Sequence, residues 1–185
     1  MTTHEITLKA CGEVAATLER IDPAQEEALA DAIQGAGRVF VAGAGRAGNL
    51  MKGFGMRLMH MDLHSYVVGE SVTPGIAAGD LLVIGSGSGE TGSMVNMAGK
   101  AKKLGARVAL ITTAPQSSVA RLADAVVEIP ALSKLVEHSR VPAFQPMANV
   151  FEQCMMFVLD AVTMTLMERL HKTSDEMYKN HANLE

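Results

Sequence analysis

The chain has 185 residues, enough for one domain with a substantial core, and a formal net charge of −4. That charge gives no electrostatic reason to expect nucleic acid as a partner. Apolar residues make up 48% of the chain and aromatics only 4%, so the thirteen methionines are expected to be mostly core, filling space that aromatics leave.

Two helices are expected over residues 5–34. Val14, Leu18, Ile21, Ala28 and Leu29 supply apolar positions, with Asp22 as a cap and Pro23 opening the second helix. Met1 to Lys9 lacks the apolar stretch of a signal peptide. Cys11 and Cys154 are far apart and read as reduced core thiols of a cytoplasmic protein. Arg38 to Ala42 is a short β run, followed by a glycine-rich turn and a helix from about Ala47 to His60. His60 and His64 have the spacing of a helical zinc pair, but no Glu follows the first and no third ligand is evident. They read as two half-exposed histidines at a helix end, and no metal is expected.

Ser65 to Val68 is the second strand and Asp80 to Ile84 the third. A helix from Gly92 to Leu104 ends at Gly105, and Arg107 to Thr112 is the fourth strand. A short helix from Ser117 to Leu122 precedes the fifth strand, Ala125 to Ile129. The strands are continuously apolar, the pattern of a sheet covered on both faces. Five of them with helical crossovers predict an α/β fold: a single doubly wound domain, its five-stranded parallel sheet flanked by helices. A charged loop, Pro130 to Pro146, contains His138. A helix from about Met147 to Leu170 then runs almost apolar all round and needs cover on several sides, part of it from another subunit. Its most apolar segment, Cys154 to Met167, is interrupted by Asp160 and reads as too short to span a bilayer. Residues 171–185, with His171, read as a polar tail, and no repeat or linker divides the chain.

The richest segment is Gly85-Ser86-Gly87-Ser88-Gly89-Glu90-Thr91. It joins a buried strand to a helix N-terminus, whose free N–H groups and dipole favour an anion, while glycine lets the backbone approach the guest. No Lys follows, so this is not the loop that holds nucleotide triphosphates. Hydroxyls and amides without a cation suit one phosphate monoester on a small molecule; the bland alternative is a well-capped Ser/Gly turn.

Gly43-Ala44-Gly45-Arg46-Ala47-Gly48 also matches the dinucleotide pattern, and Glu70 lies near the place of a ribose-binding acid. The pattern is weak alone, and Arg46 puts a cation where such loops carry small or apolar residues. The second loop offers a phosphate site in the same crevice, and little chain remains for a substrate domain. Arg46 and the Ser86–Thr91 loop could instead face one small ligand from two sides, unless Arg46 is only a surface ion pair.

Together these residues resemble the sugar isomerase (SIS) domain family, and within it the 6-phospho-3-hexuloisomerases. The Ser86-x-Ser88-Gly89-x-Thr91 loop is general to SIS domains. Gln145-Pro146-Met147 with Phe151-Glu152-Gln153, and the terminal His181-Ala182-Asn183-Leu184-Glu185, narrow the resemblance, which covers nearly the whole chain. It implies interconversion of D-arabino-3-hexulose 6-phosphate and fructose 6-phosphate, no metal or organic cofactor, and a homo-oligomer, expected to be a tetramer. By motif, Gly45, Arg46, Ser86, Gly87, Ser88, Gly89, Glu90 and Thr91 would bind the sugar phosphate. Glu152 would be the catalytic base, and His181 its catalytic partner, in its own or a neighbouring subunit. Ala47 stands where the family leads one to expect Ser. The alternatives are another phosphosugar aldose–ketose isomerase, or a non-catalytic sugar-phosphate sensor.

The residues make chemical sense of this. Moving a carbonyl between C2 and C3 requires a proton taken and returned through an enediol. A carboxylate desolvated near an apolar helix start gains basicity, and a histidine suits proton traffic on the oxygens. An acid in a first helical turn is also favourable for the dipole alone, and a tail histidine is commonly just solvated.

Overall fold

Five runs of small and branched apolar residues form the strands: β1 (Val39–Gly43), β2 (Ser65–Val67), β3 (Leu81–Gly85), β4 (Arg107–Thr112) and β5 (Ala125–Glu128). The computed structural model, which describes residues 1–131 and 144–184, places them in one parallel sheet in the order β2-β1-β3-β4-β5. Val41 pairs with Val83, and Val83 with Ala109, so side chains of one face stand in rows across the strands. Val41, Val83, Ala109 and Ile111 face one helical layer, and Phe40, Leu82, Ile84, Val108 and Leu110 face the other. Both sets are buried, which is why these strands show no polar alternation.

The first layer holds α1 (Thr3–Leu18), α2 (Pro23–Gln34), α3 (Gly45–His60) and α5 (Asn149–Arg169). The second holds α4 (Gly92–Lys103) and a 3-10 turn at Ala120–Leu122, shorter than the helix expected from Ser117. Local chemistry sets the helix ends. Asp22 caps α2 by accepting from the Ala24 N–H, and Pro23 is its first residue. After α4, Gly105 takes φ +81°, and the N–H groups of Gly105 and Ala106 close on the carbonyls of Lys102 and Ala101.

Helix α5 is apolar on its exposed side as well as its packed side: Phe151, Cys154, Met155, Val158, Val162 and Leu166 are buried, and Met156, Phe157 and Met164 are exposed beside Asp160. Several expectations are corrected. At 21 residues α5 is long and apolar enough to cross a membrane, but more than half of its apolar stretch is buried inside the fold. The apolar character is that of a core helix. Only five methionines are buried (Met51, Met61, Met94, Met155 and Met177), and six are exposed. Cys11 is exposed, so only Cys154 is a core thiol, with burial pushing its pKa up to about 12. His60 is buried and His64 exposed, instead of both being half-exposed.

The segment read as a tail contains a sixth helix, α6 (Ser174–Lys179). Thr173 and Glu176 form a reciprocal capping box, and Met177 is buried. Residues 132–143, with His138, and Glu185 lie outside the described residues.

Candidate active site

The strand order reverses between β1 and β3, so α3 leaves toward one face and α4 toward the other. The loops after these two strands therefore part and leave a crevice at the C-terminal end of the sheet, where ligands of such folds bind. On the β1 side, Gly43 and Gly48 are pressed together: a Cβ on Gly48 would lie 2.7 Å from the Gly43 carbonyl oxygen. Gly45 takes φ +58° at the turn. These glycines serve a tight strand-to-helix turn. Glu70, the acid of the dinucleotide reading, makes an exposed ion pair with Lys52 at 3.2 Å.

On the β3 side the 86–91 loop is folded onto itself. The Ser86 Oγ accepts from the Gly89 N–H and the Ser88 Oγ from the Glu90 N–H, both at 3.2 Å. A hydroxyl that accepts in this way keeps its own proton to donate to an anion. Thr91 is the N-cap residue of α4, but its side chain makes no capping bond, so the first N–H groups of α4 are not taken by it.

The loop is held from behind by the segment after β4. The Gly87 carbonyl accepts from the Thr113 N–H (3.0 Å), the Thr112 Oγ1 (3.0 Å) and the Thr113 Oγ1 (2.8 Å). The Glu90 Oε1 accepts from the Ser118 N–H at 2.7 Å. Gly89 sits at φ +60° against Ser117, where a Cβ would lie 2.0 Å from the serine Oγ. Of the residues proposed from sequence, Glu90 and Gly89 thus shape the loop. Thr112, Thr113 and Ser117 were not anticipated, although two adjacent threonines ending the strand beside β3 were the available signal.

Between the two loops lies a cavity of about 300 Å³. Its walls are Ala44 and Ala47, the loop residues Gly85 to Ser88 with Thr91, and Ala148, Phe151 and Glu152 at the start of α5. Ala47 is buried in that wall, so the missing hydroxyl of the first loop is replaced by a methyl facing the cavity. The Glu152 side chain is 8% exposed, and its Oε2 accepts from the Arg46 Nη1 at 3.0 Å. The same nitrogen donates to the Asn149 Oδ1 at 2.9 Å. Arg46 is 53% exposed and is not a wall of the cavity. It reaches over from the first turn of α3 to the carboxylate on α5, so it is more than a surface ion pair. The hydroxyl loop and the buried carboxylate line one space, and the guanidinium touches that carboxylate.

His181 lies elsewhere in its own chain. Its ring stacks on Tyr178 (centroids 5.8 Å apart) and tilts against His60 (5.6 Å). The Asn180 amide anchors this end of the chain by donating to the His60 carbonyl and to Asp62. His60 ends α3 whereas Arg46 opens it, which separates them by about 21 Å along the axis at ~1.5 Å per residue. One chain does not bring His181 to Glu152. Burial, together with the neighbouring Arg57 and His181, holds the His60 pKa below the usual imidazole value.

Known proteins supply the remaining evidence. The SIS domain family matches residues 32–163. A 3-hexulose-6-phosphate isomerase of Bacillus subtilis is 41% identical over 185 residues, the full length of both chains. One from Mycobacterium gastri is 47% identical over 173 residues, 94% of this chain and 86% of that protein. A crystal structure from Methanococcus jannaschii, from which a molecular function of 3-hexulose-6-phosphate isomerase was inferred, superposes with a TM-score of 0.84 at 30% identity, covering 98% of this chain and 99% of that one. The crevice at the strand-order reversal, with its hydroxyl loop and buried carboxylate, is therefore that of a SIS-domain protein, and the chain belongs to the 3-hexulose-6-phosphate isomerase family.

Proposed function

We infer that the chain catalyses the interconversion of D-arabino-3-hexulose 6-phosphate and fructose 6-phosphate. The observation that carries this is the buried Glu152 carboxylate in one wall of a cavity whose opposite wall is the Ser86–Thr91 loop. The loop takes the phosphate through the Ser86, Ser88 and Thr91 hydroxyls and the first N–H groups of α4. Glu152 removes the C3 proton of fructose 6-phosphate, giving an enediol across C2 and C3. It returns a proton to C2, while one oxygen-bound proton passes from O3 to O2. Arg46, whose Nη1 already touches the carboxylate, supplies positive charge where the enediolate develops.

His181 handles the oxygen protons from a neighbouring subunit, because in its own chain it stands at the far end of α3. Assembly is supported by the apolar side chains left exposed on the packed helices α3 and α5, among them Met56, Met59, Met156, Phe157 and Met164. We propose a homotetramer working in the cytoplasm, consistent with two free thiols.

The test is isotopic. Enzyme incubated with fructose 6-phosphate in D2O should form the 3-ketose with deuterium at C2 and, on return, fructose 6-phosphate with deuterium at C3, both read by NMR. Deuterium at C1 would reassign the chain to aldose–ketose chemistry, and binding without conversion would make it a sensor.

A further inference from the structure

The Arg46 Nη1 serves two acceptors at once, the Glu152 Oε2 at 3.0 Å and the Asn149 Oδ1 at 2.9 Å. It carries two hydrogens, one for each. Asn149 and Glu152 are three residues apart in the first turn of α5, so the helix presents both to the same partner. Among the described residues the Asn149 side chain makes no hydrogen bond besides the one to Arg46. The N-cap of α5 is Ala148, with no side-chain capping bond, and Asn149 is half-buried.

An arginine more than half exposed samples many rotamers, and its natural mode on a carboxylate is a two-nitrogen fork over both oxygens. Here only Oε2 is engaged, and the Glu152 Oε1 has no protein hydrogen bond among the described residues. The second acceptor draws Nη1 toward the helix start and away from the fork. We propose that Asn149 is a positioning residue of the active site. By holding the Arg46 head off-centre, it keeps one oxygen of the Glu152 carboxylate open to the substrate carbon. It also leaves the Arg46 Nε and Nη2, which have no acceptor among the described residues, to meet the substrate oxygens. This rests on the reading of Glu152 as base and Arg46 as its substrate-facing cation.

The test is a double-mutant cycle with Arg46, using purified enzyme and fructose 6-phosphate. Asn149→Ala should lower kcat about tenfold, with KM within about threefold of the parent, as expected for one lost bond to a charged group. Asn149→Asp retains the acceptor and should lie closer to the parent than the alanine variant. In an Arg46→Ala background, Asn149→Ala should cost nothing further, because its only route to the reaction is gone. Melting temperatures are read alongside. An Asn149→Ala enzyme with parental kcat overturns the proposal. So does an equal kcat loss in both backgrounds, which would mark a merely structural role, or an Asn149→Asp variant no better than alanine. If Arg46→Ala itself keeps parental kinetics, the cation reading fails, and the Asn149 proposal falls with it.

Discussion

Replacing Gly89 by Ala asks whether the anion loop must hold its shape. The perturbation has two parts. At φ +60° a Cβ strains the backbone by about 1–2 kcal/mol. It would also lie 2.0 Å from the Ser117 Oγ and 2.5 Å from the Ser117 Cβ, well inside any real contact. Ser117 is buried, and its Oγ accepts from the Ala120 N–H, so it cannot simply turn away. A shift of the loop or of the 114–119 segment must follow, and such overpacking costs a further ~1–3 kcal/mol. The sum, about 2–5 kcal/mol, corresponds to a fall in melting temperature of roughly 4–20 °C for a chain of this size. The Gly89 carbonyl, through the Val119 N–H, and Glu90, through the Ser118 N–H, are tied to the moving segment. The hydroxyls and amides should therefore lose their common focus, and KM for fructose 6-phosphate should rise by about one to two orders of magnitude. Steady-state kinetics and a thermal melt read both effects. Adding Ser117→Gly removes both clashing atoms and should return most of the melting temperature, leaving the backbone strain and the lost bond from the Ala120 N–H. A Gly89→Ala enzyme with parental KM and parental melting temperature would refute the reasoning.

Three further outcomes are expected. Ser88→Ala removes one donor to the phosphate and should raise KM about 10- to 100-fold with the fold intact, as measured by initial rates and circular dichroism. Glu152→Gln should lower kcat by about 10²–10⁴-fold. Mixing it with an inactive His181→Ala enzyme should restore activity only in hybrid oligomers, if the two residues meet across an interface. The third concerns pH. The folded protein holds the His60 pKa below its unfolded value of about 6.5. The unfolded chain therefore takes up the proton first, and stability is full above that value and falls as pH drops through it toward the folded pKa. Urea unfolding at fixed protein concentration between pH 7.5 and 5 should show this slope, and His60→Gln should flatten it.

The sheet was legible because its central strands are short, nearly continuous apolar runs that alternate with helical segments, the pattern of a doubly covered parallel sheet. Asp22-Pro23 and Gly105 marked helix ends by backbone chemistry that acts locally. The anion loop was legible for the same reason, since its hydroxyls and glycines are contiguous in sequence. What sequence did not reveal depends on contacts between distant segments. Thr112, Thr113 and Ser117 act on the loop from some 25 residues away. Asn149 gains meaning only when α5 lies against α3, and which methionines are core depends on which face of α3 and α5 meets the sheet. Helix α6 was missed although Thr173-x-x-Glu176 is a capping signature, because six residues give too short a stretch for apolar periodicity.

The site draws its parts from the turn after β1, the loop after β3, the segment after β4 and the first turn of α5. The hydroxyl loop and the Glu152 carboxylate therefore come together only in the folded chain, after the central strands have paired and α5 has docked. A sugar phosphate that needs all of these has almost nothing to bind in the unfolded ensemble, so its binding shifts the folding equilibrium by an amount set by its concentration relative to Kd. At a hundredfold excess over Kd that is about 2.7 kcal/mol, a sizeable share of the roughly 5–15 kcal/mol that holds a typical domain together. A bound sugar phosphate then acts as a folding ligand, and the melting temperature should climb with its concentration.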